Sequence, residues 1–119
     1  MSFLFLVNCS NDDIDTSRTE EQQILDEKFM EIIEQAMNND CDNDENWSFI
    51  AIGNKACGGP SSFIIYSTMI NTVEFLNKVN KYTQAEANFN EKWEIISDCS
   101  TPRIPIGVSC VNGRPELVY

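Results

Sequence analysis

The sequence predicts an α+β fold in which a small antiparallel sheet of about five strands packs on a long amphipathic helix, with an additional N-terminal helix. The long helix is indicated by apolar residues that recur every three or four positions over about residues 72–92. Asn71 and Glu74 give it an N-cap signal. Short runs of β-branched and aromatic residues on both sides of this segment are typical of strands.

The first helix is predicted from about residue 18 to residue 37, where apolar residues again follow helical spacing. Ser17 and Glu20 form a capping-box pattern at its start, and Asn38-Asn39 follows its last apolar residue. Residues 10–18 are polar and are interpreted as a flexible linker. We therefore expect a signal remnant and polar tether at 1–18 and a single domain at 19–119.

The strands are predicted at residues 47–53, 62–67, 94–97, 108–111 and 114–119. The first run alternates only partly, so both of its faces are expected to be covered. Asn112-Gly113 lies between the last two runs and predicts a hairpin, because both central residues of the favoured two-residue turn need positive φ. Pro115 suits an edge strand, since it cannot donate to a ladder.

Composition restricts the possible functions. The 119 residues include 19 Asp and Glu against 8 Lys and Arg, a net charge of −11, and no histidine. An acidic surface without a basic cluster disfavours binding to nucleic acid or to an anionic membrane surface. The absence of histidine removes Ser-His-Asp and Cys-His catalysis and histidine metal sites. We expect no enzyme activity and no cofactor.

The N-terminal cysteine stands apart from the other four. Cys9 follows an apolar run, Phe3 to Val7, and precedes a polar stretch rich in Asn and Asp. This arrangement resembles the lipobox of bacterial lipoproteins, which implies that Cys9 is lipidated. The run is short and lacks a basic segment before it, so the sequence alone does not decide whether the native start lies upstream of Met1. The alternative is a frayed terminus with a chance cysteine.

The remaining cysteines, Cys41, Cys57, Cys99 and Cys110, allow three pairings. Spacing favours Cys41–Cys57 and Cys99–Cys110, each of which closes a short loop, while Cys57 with Cys99 or Cys110 remains an alternative. Each bridge could add about 3 kcal/mol to stability. Reduced core cysteines in a cytosolic protein are the other interpretation. A zinc site is disfavoured because no C-x-x-C pair occurs.

Residues 47–119 carry a set of short motifs: Trp47, Cys57-Gly58-Gly59-Pro60 followed by Tyr66-Ser67, Tyr82, Asn90, Ser97-Asp98-Cys99 and Cys110-Val111-Asn112-Gly113. In this combination the segment resembles small exported bacterial proteins of unassigned function. The resemblance implies export and a compact fold, and it implies no activity. Proteins with this pattern often carry a further cysteine soon after the Asn-Gly turn. Here Arg114-Pro115 stands there, so the resemblance does not assign the disulfide pairing.

The acidic segment after the first helix partly matches the ligand pattern of a calcium-binding loop. Asp40, Asp42 and Asp44 stand at positions 1, 3 and 5 of an EF-hand-like loop. Glu45 and Ala51 occupy the places where that loop needs a glycine and a bidentate glutamate. We therefore interpret the segment as a solvated acidic loop without a metal.

A second candidate site lies between the last two cysteines. A Cys99–Cys110 bridge would hold Pro102, Arg103, Ile104 and Pro105 in a closed ring, which distantly resembles the binding loop of Bowman–Birk-type serine protease inhibitors. A rigid loop would present Arg103 to an acidic pocket with little entropy left to lose. The alternative is an ordinary loop before a hairpin.

Together these features predict an exported, lipid-anchored domain in the periplasm or at the cell surface. Its expected role is a non-catalytic binding or accessory module, with an unknown protein or small ligand as partner. It would touch the membrane only through Cys9. Protease inhibition through Arg103 is the alternative function.

Overall fold

The computed structural model describes residues 10–119, with side chains from Thr16 onward. Helix α1 spans Ser10–Ala36 and helix α2 spans Thr72–Lys92. The helices run antiparallel, because Glu21 of α1 bonds Lys92 at one end and Gln35 of α1 bonds Lys78 at the other.

Helix α1 begins earlier than the sequence predicts. Residues 10–18 form its first turns in place of a linker, so the capping box at Ser17 is also wrong. This stretch contains neither proline nor glycine, so no helix breaker interrupts it. Helix α2 agrees with its prediction, and Asn71 Oδ1 accepts a hydrogen bond from Glu74 N at 3.1 Å.

Two strands between the helices form the first sheet. Strand β1 (Trp47–Ile52) pairs antiparallel with β2 (Ser62–Ser67), in a register that sets Trp47 opposite Ser67. Both strands lie where the sequence predicts them. Ile52 and Ile64 are buried in the core with the helices, whereas Phe49 and Phe63 meet edge to face, with ring centroids 6.1 Å apart.

The C-terminal hairpin is confirmed. Strand β3 (Gly107–Val111) pairs antiparallel with β4 (Arg114–Val118). Asn112 and Gly113 have φ values of 54° and 78°, as the turn requires. Pro115 lies opposite Cys110, and every strand of this two-stranded sheet is an edge strand.

The expectation of one sheet with about five strands is wrong. The described residues contain four strands in two separate sheets, and residues 94–97 are not a strand. After α2 the backbone turns through Glu94 at φ 50°, and Ile95 N bonds back to Asn90 O. The side chain of Ile96 is 94% exposed. The run has strand-like composition, but it pairs with no strand of the described residues.

The core lies where both helices meet one face of the β1–β2 sheet. Its most deeply buried large side chains are Phe75, Ile52 and Val79, with exposures of 0–1%. Leu25 and Ile32 from α1 and Tyr82 and Phe89 from α2 complete the contact between the helices. The apolar stripe of α2 is therefore core packing, except for Val73 in its first turn, which is 77% exposed.

Candidate functional site

Two disulfides join segments that are far apart in sequence. Cys41 bonds Cys110 and Cys57 bonds Cys99, so the second bridge is nested inside the first. The preferred pairing of Cys41 with Cys57 and Cys99 with Cys110 is wrong, and the alternative Cys57–Cys99 bridge is confirmed. Short spacing misleads here because the fold brings the C-terminal hairpin back beside the segment that follows α1.

The outer bridge fastens the hairpin to the acidic loop. Cys41 is only 3% exposed, and its N–H donates to Gly113 O at 3.2 Å. Asp44 Oδ1 accepts a hydrogen bond from Cys110 N at 2.7 Å. One of the three aspartates considered as calcium ligands thus holds the hairpin. Within the described residues, no group of three or more acidic, Cys or His side chains is placed to hold a metal ion.

The inner bridge lies in solvent at the end of the β1–β2 sheet. Cys57 and Cys99 are both exposed. Beside them Lys55 Nζ donates to Asp98 Oδ1 at 3.0 Å and to Ser100 O at 2.6 Å. Hydrogen bonds from the Ser100 hydroxyl and then from Lys55 lower the pKa of Asp98 to about 2. The segment after α2 is therefore tied to the β1–β2 connection by a covalent bond and an ion pair.

One face of α2 holds the β1–β2 connection, residues 53–61, by hydrogen bonds. Thr83 Oγ1 accepts from Gly53 N at 2.9 Å, and Asn90 Nδ2 donates to Asn54 O at 2.6 Å. Between them, Glu86 Oε1 accepts from Asn54 N at 2.6 Å and from the hydroxyl of Ser61. Thr83, Glu86 and Asn90 lie three and four residues apart, which places them on one helix face.

The Glu86 carboxylate also affects Tyr82. Burial, followed by the negative charges of Glu86 and Asp26, raises the pKa of Tyr82 to about 12. Tyr82 is 8% exposed, which agrees with burial as the main cause. Glu86 thus accepts hydrogen bonds from residues of the 53–61 connection and holds that connection in place. A carboxylate bonded in this way is not free to accept a proton from a substrate.

Several residues of the motif set come together here. Residues 57–60, Asn90 and residues 97–99 all lie around the inner bridge. A cavity of about 440 Å³ opens beside them, between the 53–61 connection and α2. The Cys110–Gly113 motif is not part of this cluster, because it forms the hairpin turn and the outer bridge.

The proposed inhibitory ring does not exist as predicted, because Cys99 and Cys110 bond to other partners. The guanidinium carbon of Arg103 lies 4.9 Å from the ring centroid of Tyr119, in cation–π contact. Pro105 is buried, and Ile106 N donates to Val118 O at 2.7 Å. Pro102 is partly buried and Ile104 is 66% exposed. The loop extends the hairpin and holds Arg103 against its end.

A second cavity, which sequence reasoning missed, lies between α1 and α2. We call it the lysine cleft; its volume is about 170 Å³ and its lining residues are Lys28, Glu31, Ile32, Lys78, Lys81 and Tyr82. Lys78 contacts Glu74 at 3.4 Å and Gln35 at 3.1 Å. Lys28 and Lys81 make no ion pair within the part of the chain that the structure describes. Only the antiparallel alignment of the helices brings Lys28 beside the pair on α2.

Cys9 lies outside the described residues. Neither described helix contains an apolar stretch of the length that a bilayer crossing requires. Comparison of the chain with protein-family models, with curated proteins and with solved structures finds no match.

Proposed function

We propose that this chain is an exported, lipid-tethered protein that works as a non-catalytic binding module. The observation that carries the proposal is the pair of nested disulfides, which cross-link the β1–β2 connection and the hairpin to distant segments. Disulfides of this kind persist in oxidising compartments and are rare in the cytosol. They support export, as does the resemblance of residues 47–119 to small exported bacterial proteins.

The tether is assigned to Cys9. The chain has five cysteines, and the four others are paired with one another. Cys9 also follows an apolar run that resembles a lipobox, so a modified thiol accounts for the odd cysteine. Attachment there would place the domain at the cell surface or in the periplasm, with the membrane contacted only by the lipid.

The hydrogen-bonding state of the carboxylates and lysines favours a binding role over catalysis. Glu86 accepts hydrogen bonds from Asn54 N and from the Ser61 hydroxyl, and Asp98 accepts from Lys55 and Ser100, so the donors to both carboxylates are groups of their own domain. The lysine cleft, in contrast, holds two lysines, Lys28 and Lys81, that make no ion pair with any described residue. The described part of the chain therefore offers a cavity for a ligand, and no acid–base pair is evident among its residues.

Metabolic labelling with palmitate in the native host tests the tether. We expect the wild-type protein to incorporate label and to accumulate as a precursor when lipoprotein signal peptidase is inhibited with globomycin. Cys9→Ala should abolish both effects, because the thiol is the attachment atom. Ser10→Ala is the matched neighbouring control and should behave as wild type. Wild-type protein without label, or label retained in Cys9→Ala, would remove the tether from the proposal.

A further inference from the structure

We propose that the lysine cleft binds a small organic monoanion with a single apolar group of about the size of a benzene ring. This inference deepens the proposed function by naming a ligand class. It rests on the binding role alone and is independent of export and of the lipid anchor.

Positive charge is concentrated around this cavity. The chain has a net charge of −11 and only eight Lys and Arg residues, yet three of its lysines, Lys28, Lys78 and Lys81, line this one cavity. With 19 acidic residues available, Lys28 and Lys81 nevertheless have no ion pair in the described chain. Two unpaired ammonium groups on facing helices can both donate charge-assisted hydrogen bonds to one carboxylate.

Acidic residues at the cleft limit the number of negative charges that a ligand can carry. Glu31 lines the same cavity, and Glu74 contacts Lys78 at 3.4 Å. These carboxylates offset part of the positive charge and would repel a ligand with several charges. The cleft therefore favours a carboxylate over a dianionic phosphate or a polyanion.

The cleft has the volume and the apolar floor that a single aromatic ring requires. The cavity holds about 170 Å³, close to the roughly 150 Å³ of an apolar cavity that accepts benzene. Ile32 and Tyr82 line it and are 2% and 8% exposed, so they form its floor. Phe29 packs against Tyr82 with ring centroids 5.4 Å apart and fixes that wall. An apolar group of one ring fits this space while its charge stays among the lysines at the rim.

Two neighbouring cavities lack this combination. In the groove at the other end of α1, Lys92 is paired with Glu21 at 2.6 Å, and the hydrogen bonds from Lys92 and Trp93 lower the pKa of Glu21. In the cavity beside Cys57, Lys55 is paired with Asp98. Lys28 and the buried Leu25 and Phe89 also line the first groove, but only the lysine cleft, among these three, joins two unpaired lysines to a buried apolar floor.

Benzoate is the probe, and benzamide, which has the same shape without charge, is the control ligand. Binding to the purified, oxidised full chain is measured by amide chemical-shift titration. We expect saturable benzoate shifts at residues 28–32 and 78–82, and binding of benzamide weaker by roughly tenfold or more, since a charged hydrogen bond is lost. The double variant Lys28→Gln/Lys81→Gln should weaken benzoate by a similar factor. Arg114→Gln on the hairpin, a distant loss of one charge, should bind as wild type.

The absence of saturable benzoate shifts in the millimolar range would overturn the inference. Equal binding of benzoate and benzamide, or full affinity in the double variant, would also overturn it. Shifts that map to the Cys57 cavity instead of the cleft also overturn it. None of these results bears on export or lipidation, so failure here is distinguishable from failure of the labelling experiment.

Discussion

At the residue scale, Gly53 shows how closely α2 holds the β1–β2 connection. Its φ is 85°, a conformation that residues with a side chain rarely adopt. A Cβ added there would lie 2.5 Å from Glu86 Oε1 and 2.7 Å from Ser61 Oγ. The position therefore requires glycine for two separate reasons, the backbone angle and the neighbouring carboxylate.

These two reasons can be separated experimentally. Gly53→Ala should lower the free energy of unfolding by roughly 2–4 kcal/mol, since it combines an unfavourable φ with displacement of a hydrogen-bonded carboxylate. Gly58→Ala is the matched control, because Gly58 has φ 96° but nothing within 4 Å of an added Cβ. It should lose only about 1 kcal/mol. Urea denaturation of both variants measures the difference, and equal losses would contradict the close contact with Glu86.

Residue-level features follow from the sequence where their partners are local. The Asn71 cap and the Asn112-Gly113 turn are predicted correctly, because each is decided within four residues. The anchoring of the 53–61 connection by Thr83, Glu86 and Asn90 is not predictable in this way. Its hydrogen-bond partners lie 25 to 36 residues apart in sequence, and only the packed helix brings them together.

At the scale of elements, the two disulfides hold different parts of the fold. The inner bridge, Cys57–Cys99, restrains the segment that follows α2. The outer bridge, Cys41–Cys110, restrains the hairpin together with the hydrogen bond from Cys110 N to Asp44. Sequence separations of 42 and 69 residues give both loops similar closure entropies.

Paired serine variants test this division. Cys57→Ser/Cys99→Ser and Cys41→Ser/Cys110→Ser should each lose about 4 kcal/mol of unfolding free energy. Hydrogen exchange should differ between them: loss of the inner bridge exposes amides of residues 94–100, and loss of the outer bridge exposes those of β3 and β4. The two variants serve as controls for each other. Loss of hairpin protection in the inner-bridge variant alone would contradict the assignment.

The sequence predicts an element correctly where its apolar pattern is matched by a neighbouring element that packs or pairs with it, as for α2, β1 and β2. The run at residues 94–97 has the composition of a strand, but Glu94 turns the backbone and leaves Ile96 in solvent. Strand propensity describes a fit to a pleated neighbour, and this run pairs with no strand in the described part of the chain. The predicted start of α1 is wrong because the polar residues before it lack an apolar pattern but also lack a helix breaker. The helix therefore continues through them to Ser10.

At the scale of the whole molecule, the arrangement of the helices creates the candidate binding site. Lys78 and Lys81 are visible from sequence as part of the polar face of α2, but Lys28 joins them only through the antiparallel packing of α1. Likewise, cysteine spacing cannot reveal that the chain returns to bring Cys110 beside Cys41. The composition, in contrast, is known from the sequence alone: the chain has no histidine and a net charge of −11.

The central claim, an exported domain held by nested disulfides, is tested most directly by a non-reducing peptide map of the protein from its native host, with thiols alkylated before lysis. The account predicts Cys41–Cys110 and Cys57–Cys99 cross-linked peptides and no alkylation at these four positions. Alkylated thiols at all four would place the protein in a reducing compartment and contradict export. Cross-links between Cys41 and Cys57 and between Cys99 and Cys110 would contradict the fold described for the hairpin.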